Sequence, residues 1–192
     1  MIRTGVWSSR RPMPDDARLL AALAVIQARG AIGERSLIDA VAHADRFVAL
    51  IPSGPRSVVD LGSGGGLPAL VIAWRRPDLM VTMVERRATR ADLLRRAIIS
   101  LNLGERAEVR NVDVAAVAAA DPHGFNVVTS RSFADVPTTA RYIDALLGDG
   151  GSALVSEPPA DRSALWRTVL HEYPNLADNG LDQGIRRLNR RT

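Results

Sequence analysis

The chain of 192 residues contains no cysteine and no lysine, only three histidines, and 4% aromatic residues. Without cysteine there are no disulfides, no thiolate metal sites and no cysteine nucleophile. Three histidines scattered at 43, 123 and 171 supply no metal-ligand set. Without lysine there is no P-loop, whose signature requires Lys before Ser or Thr. No run approaches the ~18 apolar residues of a membrane span. The first residues carry arginines but no apolar segment, so no secretory leader is expected and a cytoplasmic address is the default. Internal repeats and low-complexity tracts are absent as well.

What is present starts with charge. The net charge is +4, and all 25 basic residues are arginine. Arginine grips phosphate in a bidentate fork and stacks on bases, which suits RNA. A nucleotide-composition bias at the source accounts for the same numbers equally well. The hydrophobic fraction of 46% and mean hydropathy near zero describe a soluble globular chain, and the length fits a single domain, 1–192.

The most informative stretch is Val58-Val59-Asp60-Leu61-Gly62-Ser63-Gly64-Gly65-Gly66-Leu67-Pro68. Val58, Val59 and Leu61 make a short buried strand, the glycines a tight turn, and Pro68 suits the first turn of a helix. Gly62, Gly64 and Gly66 allow positive φ and close approach of a ligand. The helix start is expected to present free N–H groups to a polar or anionic ligand. A dinucleotide fingerprint would need its third glycine where Leu67 stands. A second apolar strand, Met80 to Val84, ends at Glu85, about 20 residues after the glycines, where a carboxylate can accept both hydroxyls of a ribose. The plainer alternative is a structural turn with a surface Glu85.

Around this stretch the chain divides into a loose arm (1–14), N-terminal helices (15–51), a core (56–155) and a C-terminal part (156–192). Leu19, Leu20, Leu23 and Ile26 recur at helical spacing behind a cap at Asp15 or Asp16, and Gly30 ends that helix. Leu37, Ile38, Val41, Ala44, Phe47 and Val48 predict a second helix, which with the first packs on the sheet. After the glycine loop come a helix over 69–74, the strand ending at Glu85, a helix over about 89–101, and a strand over about 107–112 followed by Asp113. Then follow a strand over 125–129, a helix over about 136–147 and a strand over 152–155. Arg90, Arg95 and Arg96 lie off the apolar face of the helix over 89–101, available to phosphates or simply solvated. Alternating strands and helices predict an α/β, Rossmann-like, doubly wound and mostly parallel sheet. In such a sheet the ligand lies at the carboxyl ends of the strands, where Gly62, Glu85, Asp113 and Ser130-Arg131 fall. Beyond Val155 only a helix over 163–170 is suggested, with no sixth or seventh strand visible.

Asp60-x-Gly62-x-Gly64-x-Gly66 resembles motif I of the class I S-adenosylmethionine (SAM) methyltransferases. The longer string from Asp60 to Pro68 is similar to DLGSGAGLPG of the RsmG/GidB family, with Ala69 in place of the final glycine. Arg76-Pro77-Asp78 before the strand to Glu85 looks like the same family. So does Phe125-Asn126-Val127-Val128-Thr129-Ser130-Arg131-Ser132, set against FDVVTSRA. Glu34 to Val41 resembles ERHFLDSL. The resemblance runs from about Ile32 to Val155. It implies a SAM-dependent methyltransferase acting on guanine N7 of 16S ribosomal RNA. It further implies that Gly62 and Leu67, with the loop residues Ser63, Gly64 and Gly66, hold SAM, that Glu85 lies near its ribose, that Val112 and Asp113 flank the adenine, and that Arg131 lies at the cofactor. Asp60 either orients the loop or meets the methionine amine, and Asp113 can accept from the adenine amino group. Arg131 meets the methionine carboxylate, an RNA phosphate, or a neighbouring acid.

The departures fall elsewhere. Ser36 replaces the family's His, Ala40 its Ser, and Ser156-Glu157 the Lys-Gly after the fifth strand, where an acid is expected to repel phosphate. No catalytic base is identifiable, and guanine N7 needs none, because its lone pair carries no proton and in-line placement supplies much of the rate. Carbon-5 methylation of pyrimidines would use the missing cysteine, the 2′-O tetrad the missing lysine, and exocyclic-amine methylation a D/N-P-P-Y/F string where Thr129-Ser130-Arg131-Ser132 stands. The alternatives are a methyltransferase of the same ancestry for a small molecule or another RNA, and a catalytically silent SAM-binding protein.

Overall fold

Seven strands form one sheet in the order β3-β2-β1-β4-β5-β7-β6. The structure is a computed structural model that describes residues 16–54 and 56–192. The arm over 1–14 and the cap at Asp15 therefore lie outside the described residues. The strands are β1 (Arg56–Leu61), β2 (Leu79–Val84), β3 (Ala107–Arg110), β4 (Phe125–Ser130), β5 (Leu147–Ser156), β6 (Leu176–Asp182) and β7 (Ile185–Arg190). The helices are α1 (Asp16–Ala28), α2 (Leu37–Leu50), α3 (Ala69–Arg75), α4 (Ala88–Ser100), α5 (Val114–Ala120), α6 (Val136–Leu146) and α7 (Ser163–Leu170). The first five strands pair in parallel, and β7 returns antiparallel to both β5 and β6.

Strand alternation sorts the core into two layers. Val58, Val81, Met83, Val127 and Leu154 face a cluster with α1 to α4. Val59, Leu61, Val84, Val128, Ala153 and Val155 face a second cluster with α5, α6 and α7. Leu19, Leu23 and Ile26 of α1 and Ala44 and Phe47 of α2 are buried in the first cluster, so the N-terminal helices share the core of the sheet. Gly30, at φ +73°, closes α1, with Ala31 N–H donating back to the Ile26 carbonyl. Asp16 does not stand at the cap: it is the first residue of α1 and takes an ion pair from Arg75 of α3.

Two regions depart from the sequence expectation. A helix, α5, occupies Val114–Ala120, capped by Asp113, where none was expected. Residues after α7 form the hairpin of β6 and β7, which completes the free edge of β5. The order of strands reverses between β1 and β4, which places a topological switch point beside the glycine loop.

Candidate active site

Register sets the site. Leu61 pairs with both Val84 and Ser130, and Ser130 pairs with Val155. The next residues, Gly62, Glu85 and Arg131, thus leave the sheet at one level on its carboxyl edge, level with Ser156, the last residue of β5. The loop over 62–68 is folded back on the strands. Ser63 N–H donates to Val84 O (2.9 Å), and Gly66 N–H to Ser63 O (2.7 Å). Glu85, 5% exposed, clamps the turn: its Oε2 accepts from Gly64 N–H (2.9 Å) and its Oε1 from Arg87 N–H (2.8 Å). Each oxygen accepts one of these bonds and keeps further acceptor capacity.

These bonds take up part of the loop's amides. The amides of Ser63, Gly64 and Gly66 already have acceptors, and α3 begins only at Ala69. The glycines also divide their work. A Cβ on Gly62 would stand 2.7 Å from the Phe133 ring, so this glycine lets an aromatic lie against the loop. A Cβ on Gly66 would collide with Leu70 and Leu94, so Gly66 serves loop packing on α3 and α4 rather than ligand approach. The side chain of Leu67 is likewise buried in the core, which leaves its backbone for any ligand.

Beneath the loop lies Asp60, 1% exposed. Its register partner Thr129 donates a hydroxyl hydrogen bond to Oδ1 (2.6 Å). Oδ2 is buried without a partner. Burial pushes this carboxyl up from 3.8 to about 6, against the lowering influence of Thr129, Ser63 and Arg131. Arg131 is half-buried just past β4, with neither a carboxylate nor a hydrogen-bond acceptor among the described residues. Burial and then repulsion from Arg35 lower its pKa, while Asp60 opposes them. A buried acid short of a donor thus stands near a half-buried guanidinium short of an acceptor.

On the other flank, Asn111 donates to the Glu85 carbonyl (2.8 Å), which ties the end of β3 to that of β2. Val112 is 40% exposed, and Asp113 caps α5 with Oδ1 toward Ala115 N–H, its other oxygen unengaged. On the β4 and β5 side a cavity of about 400 Å³ opens beyond Arg131. Its walls come from Arg35, His43, Phe133, Thr139, the segment Ser156–Pro159, and Arg162 with Trp166 of α7. His43 shares a hydrogen bond with Ser156 Oγ (3.1 Å). Burial lowers its pKa first, then Arg131, Arg46 and Arg35. Among the described residues no group of three acids or histidines is placed to hold a metal ion.

Residues 21–158 match the family described as rRNA small subunit methyltransferase G. The chain belongs to this family. The ribosomal RNA small subunit methyltransferase G of Thermobifida fusca is 35% identical over 176 residues, covering 84% of this chain and 69% of the relative. That of Acidothermus cellulolyticus is 33% identical, covering 76% and 61%. The chain thus spans about two thirds of the length of these relatives. An O-methyltransferase from Bacillus cereus, solved with SAH, superposes with a TM-score of 0.68 at 16% identity, over 94% of this chain and 93% of that one. At that identity it speaks for the fold.

Within the family frame, the departures from the common strings take structural roles. Ser36 is the N-cap of α2, accepting from Asp39 N–H (3.4 Å). Ala40 is buried in the α2 core. Glu157 does not present a free anion to phosphate, contrary to expectation. Its side chain is 3% exposed, accepts from Trp166 Nε1 (2.7 Å) and Arg162 Nε (2.9 Å), and has Arg186 at 3.8 Å. Sequence reasoning missed His43, Phe133 and Trp166 as site walls. Only Phe133 carried a local signal, by following Ser130-Arg131-Ser132.

Proposed function

We propose that the protein is a SAM-dependent methyltransferase whose acceptor is guanine N7 of small-subunit ribosomal RNA. The carrying observation is the pair of incomplete partners beneath the loop: among the described residues, Asp60 Oδ2 has no donor and Arg131 no acceptor. An amino-acid head group offers an ammonium and a carboxylate together, which fits both. Asp60 holds the amine, Arg131 the carboxylate, Glu85 the ribose hydroxyls through its remaining lone pairs, and Asp113 the adenine amino group beside Val112. The backbone of Gly62 to Leu67, Ser63 and Gly64 included, forms the intervening cradle. SAM supplies a sulfonium-bound methyl group.

The chain's own residues position and exclude. The cavity beyond Arg131 receives the acceptor, and Phe133 offers it a flat face. No side chain has to remove a proton, because N7 donates a lone pair, so transfer depends on alignment. Membership of a family whose curated relatives carry the rRNA small subunit methyltransferase name supports the acceptor class. The second reading is a small-molecule acceptor: Ser36 stands where the family has His, while Glu157, held by Trp166 and Arg162, sets no free anion against phosphate.

The test has two arms. SAM and its demethylated product should both raise the melting temperature by linkage, and NAD and ATP should not. Mass spectrometry of small-subunit rRNA from cells with and without the gene should show one methylguanine lost. A shift with NAD and none with SAM overturns the cofactor, and identical rRNA masses overturn the acceptor.

A further inference from the structure

Arg35 lines the same cavity as Arg131, and the two guanidinium groups stand close enough to repel. His43 lies among Arg35, Arg46 and Arg131. The other arginine of the wall, Arg162, is matched by Glu157. Arg46 gives one N–H to the Gln183 carbonyl in the β6–β7 turn and meets no carboxylate among the described residues. One side of the cavity mouth is therefore cationic: Asp60 and Glu157 are buried, and the exposed Glu34 beside Arg35 in the chain forms no ion pair with it.

We propose that Arg35, supported by Arg46 and His43, binds a backbone phosphate flanking the acceptor nucleotide, so that the RNA strand enters over the start of α2. The inference rests on the SAM reading, because that reading decides which cation is left over. A zwitterionic head group cancels the charges of Asp60 and Arg131, and the sulfonium adds one positive charge at the cavity floor. Arg35 then has no ion-pair partner among the described residues and is left for the acceptor. A phosphodiester supplies that charge in the bidentate form a guanidinium favours, and a neutral small molecule does not. The rival arginine patch lies on α4, beside β3 and on the opposite flank of β1 from the cavity. There Arg95 is already paired with Asp92, and Arg96 is exposed.

The experiment measures binding of a short single-stranded RNA containing one guanosine across a salt series, for wild type, Arg35→Ala and Arg96→Ala. SAM affinity is measured by calorimetry for each. Arg35 and Arg96 are both exposed, so neither substitution threatens folding. Arg35→Ala should weaken RNA binding about tenfold at low salt. It should also reduce the log–log salt slope by about 0.7, one phosphate contact on a single strand. SAM affinity should be unchanged, and Arg96→Ala should match wild type in both assays. An unchanged slope for Arg35→Ala, or a reduced slope for Arg96→Ala alone, overturns the proposal. If wild type binds SAM but no RNA, the proposed acceptor falls and the phosphate contact falls with it. If it binds RNA but not SAM, the cofactor reading fails separately.

Discussion

Replacing Asp60 with asparagine should make the free protein more stable and its cofactor binding weaker. The substitution keeps the shape and keeps an oxygen for the Thr129 hydroxyl. It removes a negative charge whose second oxygen has no partner. Burial raises the pKa of this carboxyl from 3.8 to about 6. Between those values the folded state holds more protons than the unfolded state, so stability falls as pH rises. The loss is complete above about pH 6, at about 3 kcal/mol for a shift of this size. Asparagine avoids that cost but buries an amide N–H₂ at about 1–3 kcal/mol, so a net stabilisation of about 0–2 kcal/mol at neutral pH is expected. Against it stands the lost contact with the cofactor amine, about 1.5–3 kcal/mol, or roughly 10- to 150-fold in Kd. Wild-type SAM binding should weaken as pH drops below 6, because the amine requires the ionised carboxylate, and binding there should release a proton. Burial, then Arg131, Arg46 and Arg35, lowers the pKa of His43 as well, so the diagnostic comparison is between wild type and Asp60→Asn, in which the Asp60-linked proton release is gone. The assays are urea denaturation of the free protein from pH 4 to 8, and calorimetry with SAM in buffers of different ionisation enthalpy. Equal SAM affinity in both proteins, or proton release that persists in the variant, would refute the reasoning.

Glu85→Ala releases the Gly64 and Arg87 amides and removes the ribose acceptor, so both melting temperature and SAM affinity should fall, the latter by about 1.5–3 kcal/mol; unchanged affinity by calorimetry would place Glu85 outside the site. Arg131→Ala should weaken SAM binding at low and high salt alike, and equal affinities throughout would return Arg131 to the RNA side. Glu157→Ala strands Trp166 Nε1 and takes the carboxylate from Arg162, while Arg186 keeps Asp178, so denaturation should show about 1–3 kcal/mol of destabilisation with SAM affinity unaltered. Gly62→Ala places a methyl group against Phe133 at φ +63°, and about 1–2 kcal/mol of backbone cost, read from the same denaturation assay, is expected before the ring moves.

The amino-acid string determined the elements whose signals are local. The apolar run ending at Leu61, the glycine turn, and the run ending at Val84-Glu85 identify strand, loop, strand and acid without reference to anything distant, because burial on both faces demands continuous apolar residues. Where local chemistry is weak, the elements stayed hidden. Helix α5 is seven residues of Ala and Val, too short for a helical period to show. Strands β6 and β7 read LADNGLD and IRRLNR, polar sequences without a regular apolar alternation. They form because β5 offers an open edge, with Ile185 and Leu188 buried against the sheet. Tertiary structure alone decided the state of the charges. Asp60 and Thr129 are far apart in sequence and meet only through parallel register. Arg131 lies between the influence of Arg35 and that of Asp60 without an ion pair among the described residues, and Glu157 is sealed by Trp166 and two arginines. Which ionic group is satisfied and which is left open depends on neighbours brought from other strands and helices, and a linear string carries no record of that distance.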